Sequence, residues 1–462
     1  MWGHVRVEPV GSVQLRGRSE PITTYRALGL ATQGSLLETR GDRPFARFVG
    51  RKKELAVLGD LLSRAEMGQG GVLGVVGEPG IGKSRLLFEL RRGLTQKNVA
   101  YLEGHCVSYG SAIPYLPVLG FLRRHGGITD TDTPEIIADK VRRMLSEAEI
   151  DPADSAPYLF HLLGVKEGAG ALGTLRPETI RAKILETITR LIGNTARRRP
   201  LLLVVEDLQW IDRSSEDLLT SLIESLPSMP ILMVVTYRPG YRLPWVERSH
   251  GGAEMTLGVL PPPESRAVVE SIFGVRPPPE DIAQLILGKA EGNPLFIEEL
   301  SRSLVEHPEV DPTLVVPDTL QGLLMERIDR LPDDVKHLLQ VASVIGREVG
   351  LPLLRAIWDE SADLDSALHE LRRLEFLHEY PGGGVDVYTF RHALTQDVAY
   401  ARLLDVRRRI HHEAVGHALE DLYAARMDEI TELLAHHFGH SGAVEKAVDY
   451  ALLAAEKAQR RC

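Results

Sequence analysis

One eight-residue segment constrains this chain more than any other feature. It reads Gly77-Glu78-Pro79-Gly80-Ile81-Gly82-Lys83-Ser84 and has the spacing G-x-x-x-x-G-K-[ST]. Its glycines let the backbone turn tightly, so that N–H groups point at phosphate oxygens. Lys83 can reach the β- and γ-phosphates, and the Ser84 hydroxyl can bind Mg²⁺. Because a short apolar run precedes the segment and a helical pattern follows it, we expect residues Gly77 to Arg85 to bind a nucleoside triphosphate.

A second segment supplies the acidic groups that such a site needs. Leu201 to Val205 are five apolar residues, typical of a strand that is buried on both faces, and Glu206 and Asp207 follow directly. One carboxylate is expected to hold Mg²⁺ and the other to orient the attacking water. By position we assign Glu206, with Ser84, to the metal and Asp207 to the water. The opposite assignment stays open, because related sequences more often place Asp first.

The bulk properties of the chain narrow the functional classes. Its 462 residues leave room for about three domains, and a 44% hydrophobic content suits ordinary globular cores. A net charge of −10 argues against non-specific binding to nucleic acid. The two cysteines, a missing signal peptide and the lack of a long apolar run predict a cytoplasmic protein.

The chain divides into segments of different character. Residues 1–30 alternate like strands, at 5–7, 12–15 and 22–28, and we expect them to be the end of a larger domain. Residues 31–45 read as a linker. Within 46–260, strands near 72–76, 99–102, 201–205 and 231–236 alternate with helices, and one helix (134–148) is expected in an insertion from 126 to 173. This pattern predicts an α/β domain with three layers, a parallel sheet and a site at the carboxyl ends of its strands.

The remaining segments are mainly helical. Residues 261–314 predict a lid of helices, in which Pro294 takes the first position of a helix. Residues 315–400 predict three helices and then a hairpin with strands 375–380 and 385–390, the order of a winged-helix domain. Residues 401–462 predict helices, including an antiparallel pair (430–438 and 443–455) such as opens a tetratricopeptide array.

These features, taken in order, resemble the signal-transduction ATPases with numerous domains, the STAND class, which is related to AAA+ and origin-recognition-like ATPases. The resemblance is strongest to bacterial proteins that join a class III adenylate or guanylate cyclase domain, an ATPase of this class and a tetratricopeptide array. Residues 11–21 resemble the last hairpin of such a cyclase domain, without its metal-binding aspartates. The other marks are Phe48-Val49-Gly50-Arg51, the glycine-rich loop, the stretch 206–212, Tyr237-Arg238-Pro239, Gly292-Asn293-Pro294 and Phe390-Arg391-His392-Ala393-Leu394.

The resemblance implies further site residues. Arg238 would be a polar sensor close to the γ-phosphate, Val49 and Gly50 would contact the nucleotide, and Pro294 would line its adenine end. His392 would contact the β-phosphate of ADP and hold the closed resting state, although Ala393 replaces the acidic residue that commonly follows it. The simpler alternatives are a surface arginine after a strand, a plain helix start and a packed histidine.

The functional expectation is a cytoplasmic switch that binds ATP with Mg²⁺, hydrolyses it slowly and regulates an attached or partner effector through the helical C-terminal region. A nucleotide-dependent oligomer fits the same class. The alternatives are an ADP-locked scaffold, a regulatory fragment of a nucleotide cyclase and a transcriptional regulator. We expect no cyclase activity from this chain, no membrane association and no nucleic-acid binding. A zinc site at His436, His437 and His440 is not expected, because Gly439 should break the helix between them and no carboxylate or cysteine completes a ligand set.

Overall fold

The computed structural model describes most of the chain. The described residues are 5–13, 22–30, 47–94, 97–107, 113–129, 132–165, 167, 172, 174–243, 252–274, 277–306, 317, 319–358, 363–380 and 387–461. The linker predicted at 31–45 lies outside them.

An antiparallel hairpin stands at the N-terminus. Strand β1 (Val5–Val13) pairs with β2 (Ile22–Leu30), and irregularities occur between Arg6 and Val7 and between Pro9 and Gly11. The prediction of two separate strands in the first fifteen residues is wrong. Pro9 and Gly11 interrupt the alternation in sequence, but the shifts in register absorb them within one continuous strand.

A parallel sheet of five strands forms the centre of the next region, in the order β4-β5-β6-β3-β7. Successive residues of β5 enter two different hydrophobic cores: Leu202 and Val204 pack with α1 and α2, whereas Leu201, Leu203 and Val205 pack with α3 to α7. The predicted α/β fold with three layers is therefore confirmed. The elements are α1 (Lys52–Glu66), β3 (Gly71–Val76), α2 (Lys83–Gly93), β4 (Ala100–His105), α3 (Leu116–Gly126), α4 (Pro134–Glu147), α5 (Pro152–Leu163), α6 (Pro177–Arg198), β5 (Leu201–Glu206), α7 (Arg213–Ser225), β6 (Ile231–Tyr237) and β7 (Gly252–Thr256).

Three details of this region differ from the sequence-based expectation. The insertion contains a second helix after the predicted one, because α5 forms despite an internal Pro157. Strand β4 continues to His105, three residues beyond the predicted end. Strand β7 was not predicted: it is an edge strand whose residues are all exposed or half-buried, so it carries no apolar run that marks a buried strand.

Three helices follow the sheet and build a small core of their own. They are α8 (Pro262–Phe273), α9 (Glu280–Ala290) and α10 (Pro294–Glu306). Val269, Ile286 and Ile297 are fully buried in this core, and Val49 packs against it. Pro294 is the first residue of α10, as predicted.

The next region combines helices with a small antiparallel sheet in the order β8-β10-β9. The predicted pairing of the two late strands is confirmed, with Phe390 opposite Leu377; their turn lies outside the described residues. Strand β8 and a fourth helix before the hairpin were not predicted, since both are short. The elements are α11 (Leu320–Asp329), α12 (Asp333–Ile345), β8 (Glu348–Gly350), α13 (Leu351–Ile357), α14 (Leu364–Arg373), β9 (Leu377–Tyr380), β10 (Val387–Phe390) and α15 (Ala393–Ala401).

Three helices end the chain: α16 (Asp405–Leu422), α17 (Met427–Gly439) and α18 (Val444–Arg461). The Phe438 ring stacks on Tyr450, and Lys457 pairs with Glu432, so α17 and α18 run antiparallel as predicted. Residues of α16 and α17 share one hydrophobic core with the region of the small sheet. Within the described part of the chain, no helix has both the length and the apolar character needed to cross a membrane.

Candidate functional site

The glycine-rich loop lies between β3 and α2, and its shape depends on its glycines. Gly80 and Gly82 have φ angles of 78° and 100°, in a region that residues with a Cβ rarely adopt. A Cβ on Gly77 would lie 2.7 Å from the Ile81 side chain and 3.2 Å from the Leu257 carbonyl oxygen. The loop therefore holds a narrow cradle of backbone N–H groups directly before the helix that begins at Lys83.

The Lys83 side chain folds back over this loop. Its Nζ donates to the carbonyl oxygens of Gly77, at 2.6 Å, and Glu78, at 3.1 Å. Lys83 is buried, and this burial lowers its pKa, although Asp207 and Glu206 oppose the shift. The ammonium group is thus poised over the cradle, where a phosphate oxygen would replace the carbonyl contacts.

Ser84 and Glu206, the pair assigned to the metal from the sequence, meet beside the loop. The Ser84 hydroxyl donates a hydrogen bond to Glu206 Oε2. Glu206 is only 4% exposed, and burial raises the pKa of its carboxyl, with Glu103 and Asp207 adding to the rise. A hydroxyl and a carboxylate that converge at the phosphate loop fit the oxygen ligands that Mg²⁺ prefers.

Two further groups near Glu206 were missed by sequence reasoning. His105 Nδ1 lies 3.7 Å from Glu206 Oε1, and His105 Nε2 lies 3.3 Å from Glu103 Oε1. Burial, reinforced by Arg124 and Arg347, holds the pKa of His105 well below its usual value, so its ring is neutral. Glu103 and His105 occupy alternate positions of β4 and share one face of the strand. That spacing was the available signal, but the predicted strand stopped before it.

Asp207 is held by groups from several parts of the chain. Its backbone has a φ of 62°, and its N–H donates to Thr236 Oγ1 at 3.0 Å. Its Oδ1 accepts from Gln209 Nε2, at 3.1 Å, and its Oδ2 forms an ion pair with Arg347 Nη1, at 3.3 Å. Arg347 directly precedes β8 and lies 140 positions along the chain. The carboxylate assigned to the attacking water is therefore bound by a cation that no local pattern indicated.

Arg238 lies at the end of β6, beside the acidic strand. Its backbone N–H donates to Gln209 Oε1 at 3.1 Å. Its guanidinium lies 4.6 Å from the centre of the Trp210 ring and 3.7 Å from Asp397 Oδ2 on α15. Trp210 packs against the large core and also stacks on this arginine. Two ion pairs, Arg347–Asp207 and Arg238–Asp397, thus connect the ends of strands β5 and β6 to the region of the small sheet.

Asn293 links the three helices α8 to α10, the segment predicted to be a lid, to the loop, and it was also missed as a site residue. Its Nδ2 donates to Pro79 O at 3.1 Å, and its Oδ1 accepts the N–H of Leu295 at the start of α10. The Leu295 N–H also lies 3.2 Å from Gly80 O. One side chain therefore caps the helix and contacts the loop together.

A single cavity collects most of the predicted site residues. Val49 lines it, whereas Gly50, with a φ of 71°, packs beside it against the Glu264 carboxylate. Gly77 and Glu78 form the base of the loop through their contacts with Lys83. The other predicted residues in its lining are Pro79, Gly80, Ile81, Gly82, Lys83, Ser84, Arg85, Glu206, Asp207, Arg238, Pro294 and His392.

His392 lies at the far side of this cavity, just after β10. Its Nε2 is buried and has no hydrogen-bond partner among the described residues. Burial, and next Arg391, lower the pKa of His392 to about 3, so the imidazole is neutral near pH 7. A charge-assisted hydrogen bond from this residue is therefore not available in this arrangement, but a neutral N–H donor is.

A buried ion cluster joins the lid to the same corner. Glu298 on α10 pairs with Arg391 at 2.7 Å and with Arg302 at 2.8 Å, and Glu375 pairs with both arginines. Burial alone would raise the pKa of Glu298, yet Arg391 and Arg302 lower it to about 2. His392 therefore stands next to the cluster that holds the lid and the small sheet together.

Comparison with known proteins agrees with this geometry. Residues 47–235 match the model of the AAA ATPase domain (AAA_16), and residues 262–310 match a domain of unknown function (DUF8739). An uncharacterized protein of Rhizobium meliloti (strain 1021) is 29% identical to this chain over an alignment of 479 residues. The alignment covers 98% of this chain and 44% of the relative. The chain thus spans less than half of that relative's length.

The solved structures that align with this chain have low sequence identity to it. The STAND protein with a tetratricopeptide repeat sensor from Pyrococcus horikoshii is 15% identical, with a TM-score of 0.49, over 91% of this chain and 60% of that one. The ORC1 protein of Aeropyrum pernix, solved in complex with DNA, is 14% identical, with a TM-score of 0.32, over 77% of this chain and 94% of that one. The glycine-rich loop and the acidic strand end fall within the matched residues, and residues 47–235 form a P-loop ATPase module.

Proposed function

We propose that this protein is a nucleotide-dependent switch that hydrolyses ATP slowly and regulates an attached or partner effector. The observation that carries the proposal is the Arg347–Asp207 ion pair. It joins the carboxylate assigned to the attacking water to a region outside the ATPase module. Catalytic competence and the position of that region are therefore coupled through one contact.

The proposed roles follow from the contacts of each residue. The loop N–H groups and Lys83 bind the phosphates of ATP, and Ser84 with Glu206 would hold Mg²⁺, which neutralises charge on the transferred phosphoryl group. Asp207, once free of Arg347, orients the water. Arg238 approaches the γ-phosphate from the neighbouring strand. Released from Asp397, it stabilises the charge that develops there.

Two nucleotide states then favour two arrangements. With ADP bound, the neutral His392 N–H donates to the β-phosphate, and Arg347 and Asp397 keep their partners on the sheet. A γ-phosphate competes for Arg238 and for the space near Asp207, which weakens both ion pairs. The region with the small sheet and the helices α16 to α18 moves as a unit, because they share a hydrophobic core. A protein partner would read that movement on the C-terminal helices, and a nucleotide-dependent oligomer is one form of the readout.

A single-turnover experiment tests the catalytic half of the proposal. The purified chain is mixed with substoichiometric labelled ATP and Mg²⁺, and product is followed for the parent and for Asp207→Asn. We expect slow hydrolysis by the parent and a loss of at least tenfold in the variant, with ATP affinity retained. A parent that binds ATP but forms no product would leave the ADP-locked scaffold as the function. The nucleotide that copurifies with the protein reports the resting state directly.

The positional half of the proposal needs a separate measurement. Hydrogen exchange of β8 and α15 is compared with ADP and with a non-hydrolysable ATP analogue bound. Faster exchange with the analogue is expected, because Arg347 and Asp397 leave their partners. Equal protection with both ligands would contradict the switch.

The sequence resemblance supports three further proposals. The N-terminal hairpin is related to a cyclase domain, the domain limits are those predicted from the sequence, and residues 315–400 act as a winged-helix domain.

A further inference from the structure

Three histidines from the two helices α16 and α17 lie close together, and none of them lines the nucleotide cavity. We call His412 on α16 and His436 and His437 on α17 the histidine cluster. One ring nitrogen of each lies within 4.8 Å of those of the other two. His412 Nδ1 is 3.0 Å from His437 Nδ1, and the His440 ring stacks on His412 at a centroid distance of 5.1 Å.

The arrangement overturns the reason for which the sequence argued against a metal here. Gly439 is the last residue of α17 rather than a break within it. The His440 N–H donates to His436 O at 3.2 Å, so the two residues keep the spacing of one helical turn, with their rings 4.6 Å apart. The missing ligand comes from α16, which the sequence could not place beside them.

The packing of α16 on α17 explains how His412 comes so close. Gly416 lies one turn after His412, and a Cβ there would be 2.8 Å from the Phe438 ring. This glycine therefore permits a close approach of the two helices at the level of the cluster. A larger residue at position 416 would separate the helices and move His412 away from His437.

The surroundings of the cluster orient its rings. The Tyr400 hydroxyl lies 2.9 Å from His412 Nε2, which leaves Nδ1 directed at His437. A partner on the outer nitrogen is the usual way in which a protein fixes a metal-ligating histidine. His412 and His437 are each only 1% exposed, whereas His436 is half-buried and His440 is exposed, so the cluster opens to solvent on one side.

The cluster has a cation close to it. Arg408 is the nearby cation, and its guanidinium lies 4.8 Å from the Tyr400 ring centre and donates to the Leu403 carbonyl. Its charge is thus directed at the ring and the backbone.

We propose that the histidine cluster binds one Zn²⁺ ion, with His412, His436 and His437 as ligands and a fourth position open to water or to His440. Three neutral imidazoles and one exchangeable position are a common zinc ligand set. The ion would join α16, which belongs to the core of the small-sheet region, to α17, which begins the C-terminal helix pair. It would stiffen the contact between α16 and α17 within the unit that these helices form with the small-sheet region.

The test uses the full chain, purified without a polyhistidine tag and stripped with a chelator. Zn²⁺ alone is titrated by calorimetry, and Co²⁺ is used as a spectroscopic probe. We expect one ion per chain, visible absorption typical of four-coordinate Co²⁺ and a higher melting temperature with Zn²⁺. His412→Ala and His436→Ala should each lose more than about a hundredfold in affinity, and Tyr400→Phe about 10–100-fold.

His417→Ala is the matched control, because His417 lies on α16, is half-exposed and pairs with Glu420 outside the cluster. Its Zn²⁺ affinity should equal that of the parent. His436 is the half-buried member, so His436→Ala serves if His412→Ala does not fold. Binding by the parent that is weak and non-stoichiometric would overturn the proposal. So would parental affinity in a folded cluster variant, which would leave the histidines as a packed, hydrogen-bonded group.

Discussion

Arg347→Ala is the substitution that most directly tests the coupling between the ATPase module and the small-sheet region. Arg347 contributes its guanidinium to Asp207 and its carbonyl oxygen to the Phe390 N–H. The substitution removes the first contact and keeps the second, since that one belongs to the backbone. We expect Asp207 to be released and the rate of ATP hydrolysis to rise.

The size of the effect follows from the geometry of the pair. Two unit charges 3.3 Å apart attract by about 5 kcal/mol at an effective dielectric constant of 20. The side chains are 15% and 13% exposed, so the cost of removing them from water offsets much of this attraction. A net coupling of about 1–3 kcal/mol remains, which corresponds to a rise of roughly 5- to 150-fold in the hydrolysis rate if the pair must open before each turnover.

The assay is single-turnover hydrolysis of ATP with Mg²⁺, measured beside ATP affinity so that changes in binding are separated from changes in rate. Arg347→Lys keeps a charge but only one donor group, and an intermediate rate is expected. Arg355→Ala is the control for general loosening of the region, because Arg355 on α13 is 60% exposed and pairs with an exposed Asp365. Its rate should equal that of the parent.

A fall in the rate of Arg347→Ala would refute the reasoning. Arg347 would then assist catalysis by stabilising the transferred phosphoryl group, and the arrangement in which Arg347 pairs with Asp207 would be the competent one. An unchanged rate, with unchanged ATP affinity, would show that the pair opens freely and controls nothing.

Further substitutions test the other contacts. Lys83→Ala should abolish ATP binding while circular dichroism stays unchanged, because the sheet does not depend on this side chain; retained affinity would contradict the loop assignment. His392→Ala should weaken ADP about 2- to 10-fold more than an ATP analogue in calorimetric titrations, the loss expected for a neutral donor, and equal losses would favour plain packing. Asn293→Ser should keep the cap of α10 but lose the contact with Pro79, so nucleotide affinity should fall while the melting temperature changes little. Glu298→Gln should cost about 3–5 kcal/mol at pH 7. The pKa of Glu298 is lowered to about 2, so its contribution is present above the ordinary value of 4.5 and is lost as pH falls towards 2; the difference between parent and variant in urea unfolding should shrink over that window, and a constant difference would contradict the ion cluster.

The amino-acid sequence by itself determined the nucleotide loop, the acidic strand and the class of the central fold. These features are local: the spacing of Gly77, Gly82 and Lys83 sets the backbone of the loop, and a run of five apolar residues before Glu206 can only be a buried strand in this setting. The helix that begins at Pro294 is local as well, because proline tolerates only a few positions. These sequence patterns can therefore be recognised without knowledge of the tertiary structure.

The tertiary structure alone decided which distant groups meet these local elements. Arg347 reaches Asp207 across 140 positions, and His412 reaches His437 across 25, through the packing of elements whose own sequences are unremarkable. Strand β7 forms because β3 offers an open edge, although its residues carry no pattern of burial. Contacts of this kind depend on how the apolar faces of helices and strands pack in three dimensions. The free energy that favours one packing over another is a sum over the whole core, so no single sequence position determines it.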